Sequence, residues 1–158
     1  IKRIVALKKP EIIAHQQVAD LMAREGLFAT AVRETQECTA AGFSIKSFAI
    51  PHGPISEEAP HNLAYLVDST IFHPGDSLAF PAVAARVLLL PTAAPWLLRT
   101  EAIVMAQKFK PEIAIPIHDG MLKDFFRVRG DKTVGDALGA TGIAFKPLNL
   151  GETLEISV

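Results

Sequence analysis

Two nearly unbroken apolar runs constrain this chain most, within Arg86-Val87-Leu88-Leu89-Leu90 and Glu112-Ile113-Ala114-Ile115-Pro116-Ile117. A strand that faces water on one side alternates polar and apolar residues. These runs do not alternate, so each reads as a strand covered on both faces. Between them the sequence predicts a helix starting at Arg99 or Thr100 and running to about Phe109, with Glu101 in its first turn, where the helix dipole favours an acid. Pro111 breaks it. After the second run, residues 121–128 read as a short helix. Residues 133–138 read as a weaker one, because Gly135 and Gly139 lower helix propensity. The alternation of strand, helix, strand and helix predicts an α/β layering with helices on a sheet. Residues 144–148 and 153–156 are expected to close the chain as strands around Asn149-Leu150-Gly151.

The first half is more irregular. Residues 1–9 read as the tail of a helix that Pro10 ends. Residues 11–14 make a short strand. Residues 15–24 make a helix with Val18, Leu21 and Met22 on one face and Gly26 as its stop. Residues 27–32 are a second strand, and residues 34–42 are polar and loop-like. Phe43, Ile45, Phe48 and Ile50 mark a strand that ends at Pro51-His52-Gly53. Residues 54–60 form an acidic loop bounded by prolines. A hairpin follows, with residues 63–67, a turn at Asp68-Ser69, and residues 70–72.

Composition narrows the function. The 158 residues suffice for a single domain, residues 1–158, with a sizeable core. Hydrophobic residues make up 49% and charged residues 21%, the balance of a globular protein rather than a disordered one. The net charge of −1 gives no basic excess for nucleic acid or an acidic membrane surface. No apolar run reaches the roughly 18 residues of a membrane span, and no signal peptide is visible in a chain that begins at Ile1. The single cysteine, Cys38, leaves no intrachain disulfide and fits a reducing cytoplasm.

Three apolar strands end alike, in Pro51-His52-Gly53, in Pro74-Gly75-Asp76 and in Ile117-His118-Asp119. If they lie side by side and stop on one sheet edge, His52, Asp76 and His118 converge there. Imidazole and carboxylate are ligands for zinc, manganese or iron, and loops beyond strand ends are where open α/β sheets place their sites. Each residue alone also has an ordinary reading. Pro-Gly-Asp is a common turn, His52 can be solvated, and His118 can be a hydrogen-bonded rim residue. His15 falls at a helix N-terminus, and His61 and His73 have no evident partner.

The order of these pieces resembles the metallo-β-lactamase fold superfamily. It is closest to bacterial hydrolases of that group that carry a His-Pro-Gly-Asp turn and a Leu-Pro-x-Ala-Ala-Pro-Trp loop. Here these are His73-Pro74-Gly75-Asp76 and Leu90-Pro91-Thr92-Ala93-Ala94-Pro95-Trp96, followed by Glu101-Ala102 and Ile115-Pro116-Ile117-His118-Asp119. The resemblance implies a divalent metal, zinc first and manganese or iron as alternatives. It implies that His52 binds one metal, His118 binds a second, and Asp76 bridges them. The loop from Thr92 to Trp96 would line the cleft of a small-molecule substrate. Asp119 would orient His118 or cap the helix that follows. The implied chemistry is attack by a metal-bound hydroxide on an ester, amide, lactone or phosphoester.

The family's His-x-His-x-Asp-His string is absent from these 158 residues. In the family it lies just upstream of the part matching residues 1–9. The chain therefore resembles the C-terminal two-thirds of a member, a partial αββα sandwich, and an uncovered sheet edge would favour a homo-oligomer. Two other readings stand beside the hydrolase. One is a non-catalytic remnant serving as a structural or interaction module. The other is a metal-free ligand-binding domain, which predicts that Asp76 and His118 lie far apart.

Overall fold

Described here from a computed structural model covering residues 1–55 and 60–156, the chain begins with the helix Lys2–Lys8 (α1). It stops at Lys9, whose backbone turns left-handed (φ 45°) and donates its N–H to the Val5 carbonyl. Pro10 follows, with no N–H to extend the ladder. Ile13–His15 (β1), Gln16–Arg24 (α2) and Thr30–Val32 (β2) form a strand–helix–strand unit whose two strands pair in parallel as a small separate sheet. His15 caps α2, its Nδ1 accepting from the Gln17 N–H at 3.3 Å. The face of α2 that is buried carries Ala19 and Met22, while Val18 and Leu21 are exposed.

Glu37–Ala40 (β3), Phe43–Ile50 (β4), Asn62–Val67 (β5) and Ile71–His73 (β6) form an antiparallel meander. Its tight turns use left-handed backbone at Ala41-Gly42 and at Asp68-Ser69, the conformation that matches the twist of two-residue hairpins. Val87–Pro91 (β7), Arg99–Phe109 (α3), Ile113–Ile117 (β8), Asp124–Gly139 (α4) and Ala144–Phe145 (β9) complete the described elements. The large sheet runs β3-β4-β5-β6-β7-β8-β9. It is antiparallel as far as β6 and parallel from there on.

Strand direction has one consequence for the site. β4 and β6 each run antiparallel to β5, and β7 and β8 run parallel to β6. The C-terminal ends of β4, β6, β7 and β8 therefore share one edge, as the three matching strand ends predict. The apolar runs that define β7 and β8 sit in the core. Leu88, Leu90 and Ala114 have no exposed surface, nor do Ala102 and Ala106 on α3. Ala102, Met105, Ala106 and Phe109 recur at helical spacing and give α3 its inner face. Phe72 on β6 is wholly buried and stacks on Phe109 with ring centroids 5.1 Å apart.

Four expectations change. The polar stretch 34–42 contains β3, because Glu37 and Thr39 project outward from an edge strand that needs few apolar residues. The two helices expected over 121–138 are one, α4. Its Gly130 leaves room for the guanidinium of Arg99, and a Cβ there would lie 2.6 Å from Nη2. The strand expected at 144–148 is only Ala144–Phe145, and 153–156 is not a strand. Residues 56–59 of the acidic loop lie outside the described residues. No described helix is long and apolar enough to cross a membrane.

Phe72→Ala removes a ring from the centre of this core with nothing free to fill the space. It should cost about 3–5 kcal/mol of stability, read as a lower urea midpoint with an unchanged slope.

Candidate metal centre

The turn after β6 is fixed by its own backbone. Gly75 has φ +64°, and a Cβ there would collide with the Asn62 side chain and lie 2.9 Å from the Leu63 carbonyl. Only glycine occupies such a position without strain. Asn62, at the start of β5, clamps the turn from the neighbouring strand. Its amide Nδ2 donates to the Pro74 carbonyl and its Oδ1 accepts from the Asp76 N–H, both at 2.9 Å. His73 closes the same turn, its Nδ1 accepting from the Gly75 N–H at 2.8 Å. The Asp76 carbonyl in turn accepts from the Gly53 N–H at 2.7 Å, tying the end of β4 to the end of β6. Asp76 is thereby aimed off the sheet edge, with its carboxylate 46% exposed.

The imidazoles of His52 and His118 flank that carboxylate. His52 Nε2 lies 3.5 Å from one oxygen, and His118 Nε2 lies 3.2 Å from the other. Each ring is held from behind by main chain. His52 Nδ1 is 2.7 Å from the Gly53 carbonyl, and His118 Nδ1 is 2.6 Å from the Ala93 carbonyl. A carbonyl can only accept, so both Nδ1 atoms carry the hydrogen. In the neutral rings both Nε2 lone pairs then face the carboxylate. Lone pairs set against an anion are unfavourable unless a positive charge lies between them. Donor atoms of a tetrahedral metal with bonds near 2.0–2.1 Å are roughly 3.3 Å apart, and the two observed separations bracket that value.

Because Asp76 meets the histidines with different oxygens, the three residues form two histidine–carboxylate pairs rather than one triad. Accordingly, among the described residues no three His, Cys, Asp or Glu side chains are grouped to hold a single ion. The donor set fits a metal centre in kind and supplies only part of it in number.

Trp96 stands edge-on to both rings, with centroids 6.1 Å from His52 and 6.2 Å from His118. Its indole occupies the space where a Gly53 side chain would be, which is why the strand-end histidine is followed by glycine. Thr92 is buried, and its N–H donates to the Ile117 carbonyl at 3.1 Å, joining the ends of β7 and β8. His118 itself adopts φ +64°, a left-handed backbone that is uncommon for non-glycine residues and that His tolerates better than most.

Asp119 differs from expectation in both of its suggested roles. The Nδ1 partner of His118 is the Ala93 carbonyl, and α4 begins only at Asp124, with Lys123 as its cap. Asp119 instead opens a turn through its backbone carbonyl and lines a neighbouring cleft with Arg127 and Asn149. Sequence reasoning also missed Asn62 and the partner of His73. The His-Pro-Gly spacing could have suggested that a ring nitrogen folds back two residues, whereas nothing local marks Asn62. His61, likewise without an evident partner in sequence, stacks on His15 at 5.1 Å.

With this geometry in hand, comparison with known proteins identifies the architecture. A metallo hydrolase from the archaeon Ignicoccus hospitalis aligns over 99% of this chain and 73% of its own, with a TM-score of 0.73 and 16% identity. The chain has the metallo-β-lactamase fold. A Parabacteroides distasonis protein designated a metal-dependent hydrolase shares this fold over 87% of the chain and 63% of its own, with a TM-score of 0.63 and 18% identity. CmlA of Streptomyces venezuelae, a diiron β-hydroxylase, shares it over 84% of the chain and 36% of its own, with a TM-score of 0.59 and 9% identity. The metallo-β-lactamase fold thus serves more than one reaction, and the reaction must be argued from the site. In sequence, Protein Rv0786c of Mycobacterium tuberculosis is 32% identical over 99 residues, 58% of this chain. The chain spans 47% of that relative's length. No protein-family model matches the chain.

Two measurements test the site's construction. Gly53→Ala drives a methyl group into the indole and should cost about 1–3 kcal/mol. Since Trp96 is the only tryptophan, its emission should shift in the same variant. The second concerns His73. Burial holds its imidazole below the usual range, against the opposing pull of the Asp76 carboxylate. As pH falls through 6.5, the ordinary imidazole value, the unfolded chain takes up a proton that the folded chain refuses, so stability falls. Above that value the contribution is constant. Urea unfolding between about pH 5 and 8 should show the parent chain losing stability on acidification more steeply than His73→Asn. Equal slopes would remove His73 as the cause.

Proposed function

We propose that this chain carries part of the active site of a metal-dependent hydrolase, with His52, Asp76 and His118 as protein ligands of divalent cations. The observation that supports this best is the placement of the two imidazoles about one carboxylate. Both histidines spend Nδ1–H on main-chain carbonyls and turn Nε2 toward opposite oxygens of one carboxylate. The metal-free binding domain predicts that Asp76 and His118 lie far apart, and their 3.2 Å separation counts against it.

Mixed imidazole and carboxylate donors favour zinc, with manganese or iron compatible. A divalent cation held there supplies Lewis-acid polarisation of a carbonyl or phosphoryl group and acidifies bound water. The chain's own residues do the positioning. Gly53 and Ala93 fix the ring orientations, Asn62 and Gly75 fix Asp76, and Trp96 walls one side against water. The substrate class is a small molecule with an ester, amide, lactone or phosphoester bond, approached along the Thr92–Trp96 loop.

Two ligands per metal position fall short of a complete centre. We therefore propose that the remaining ligands come from outside these 158 residues, in a longer protein of which this chain is the C-terminal two-thirds. The 47% coverage of the mycobacterial relative is compatible with that. A bacterial-type enzyme, working in the cytoplasm where the lone Cys38 stays reduced, follows from the same reading. Self-association along an uncovered edge is its expected oligomeric behaviour. A non-catalytic module keeping this half of the fold is the alternative.

Zinc or manganese binding to the chelated 158-residue chain, read by competition with a chromophoric chelator, tests the ligand assignment. Uptake should be weak and should fall at least about tenfold in both Asp76→Ala and His118→Ala. Equal uptake by all three proteins would sink it.

A further inference from the structure

Between the loop after β7 and the start of α4 lies a slot of about 390 Å³, toward the lower end of small-molecule sites, which span roughly 300–1,000 Å³. One wall carries Pro95 and Leu98, the other Met121 and Phe126. Leu98, Met121 and Phe126 are 67%, 63% and 50% exposed. Scattered exposed apolar residues need no explanation, but apolar side chains lining both walls of one slot mark a contact surface. The slot adjoins the metal centre: Thr92 and Ala93 line it, and the Ala93 carbonyl is the group that holds His118.

Among the described residues, Arg99 is the one charged residue of the lining. It is half-buried, with its guanidinium carbon 5.4 Å from the centroid of the Phe126 ring. Its nitrogens lie against Gly130, at the point where any other residue would place a Cβ. The cation is thus seated by an aromatic face and by a helix that lacks a side chain there. Yet it makes no hydrogen bond or ion pair with a described residue, and Asp131 feels its charge only at longer range. A guanidinium offers five donors in a planar fork that matches a carboxylate. Here they are oriented, half-desolvated and unspent on any described residue.

We propose that the slot binds a small aliphatic carboxylate, with its alkyl body between Leu98, Met121 and Phe126 and its anion on Arg99. The hydrolysable substrate would carry that carboxylate on an aliphatic body. Calling the ligand a substrate rests on the hydrolase reading, whereas the binding itself does not.

Calorimetric titration of the metal-free chain with octanoate, and with octanol as the uncharged control, tests this. Octanoate should bind saturably, more tightly than octanol, and more weakly as salt rises. Arg99→Gln should weaken octanoate about tenfold and leave octanol unchanged. Arg99→Lys should restore part of the loss. Gly130→Ala, which pushes the guanidinium off its seat without removing its charge, should repeat the loss in a helix that alanine favours. Asp76→Asn should bind octanoate normally, so failure of the metal assignment would leave this result standing. Equal binding of octanoate and octanol, or indifference to Arg99→Gln, would overturn the proposal. So would a dimer on gel filtration that Phe126→Ser dissolves while octanoate fails to titrate, which would make the slot a face between copies of this chain.

Discussion

The shared direction of β4, β6, β7 and β8 is the constraint on which everything at the site depends. His52, Asp76 and His118 are separated by 24 and 42 residues along the chain, and no local turn could bring them together. The sheet does so by ending three strands at one level. Register then sets the fine positions. Leu90 faces Pro116 and Pro91 faces Ile117, so the β7 loop and the β8 loop leave the sheet side by side. That pairing puts the Ala93 carbonyl within 2.6 Å of the His118 ring. A slip of one residue would put an isoleucine where Ala114 is packed with no exposed surface, so the fit of that small residue favours the register that the site needs.

Orientation at the site comes almost entirely from main-chain groups. Gly53 and Ala93 contribute carbonyls, and Gly75 and Asp76 contribute N–H groups. Backbone atoms belong to the sheet and its first turns, which are rigid, and using them spares the entropy of ordering further side chains. The side chains that take part are His73, which accepts from the Gly75 N–H, and Asn62, which belongs to β5, the strand that β4 and β6 both pair with. The Asn62 amide has a donor and an acceptor on one plane, which suits it to hold two points of a turn at once.

What could be read in the sequence follows the same division. Continuous apolar runs identified β7 and β8, because burial on both faces leaves a signature in composition. Strand ends marked by His or Asp pointed to His52, Asp76 and His118 as residues able to meet, because each lies where a strand must stop. The edge strand β3 was not legible, since an edge can be polar and still pair. The continuity of α4 was hidden by Gly135 and Gly139, whose helix cost is visible locally, while the Phe145 side chain beside Gly135 and the Arg99 side chain beside Gly130 are not. The Ala93 carbonyl was invisible for a more general reason: a main-chain partner carries no residue identity, so no pattern of letters can announce it. Asp119 was the letter at hand, and a carboxylate beside a histidine invites an assignment that the backbone had already filled.

The left-handed backbone of His118 narrows what evolution can try at that position. Asn, Asp and His are the non-glycine residues that take up such a φ with least strain, although Lys9, Ala41 and Ser69 show that this chain also uses it at a helix end and in hairpin turns. On the metal reading proposed above, backbone shape therefore biases residue 118 toward a nitrogen donor or an anionic oxygen donor, and with it toward cations that prefer one or the other.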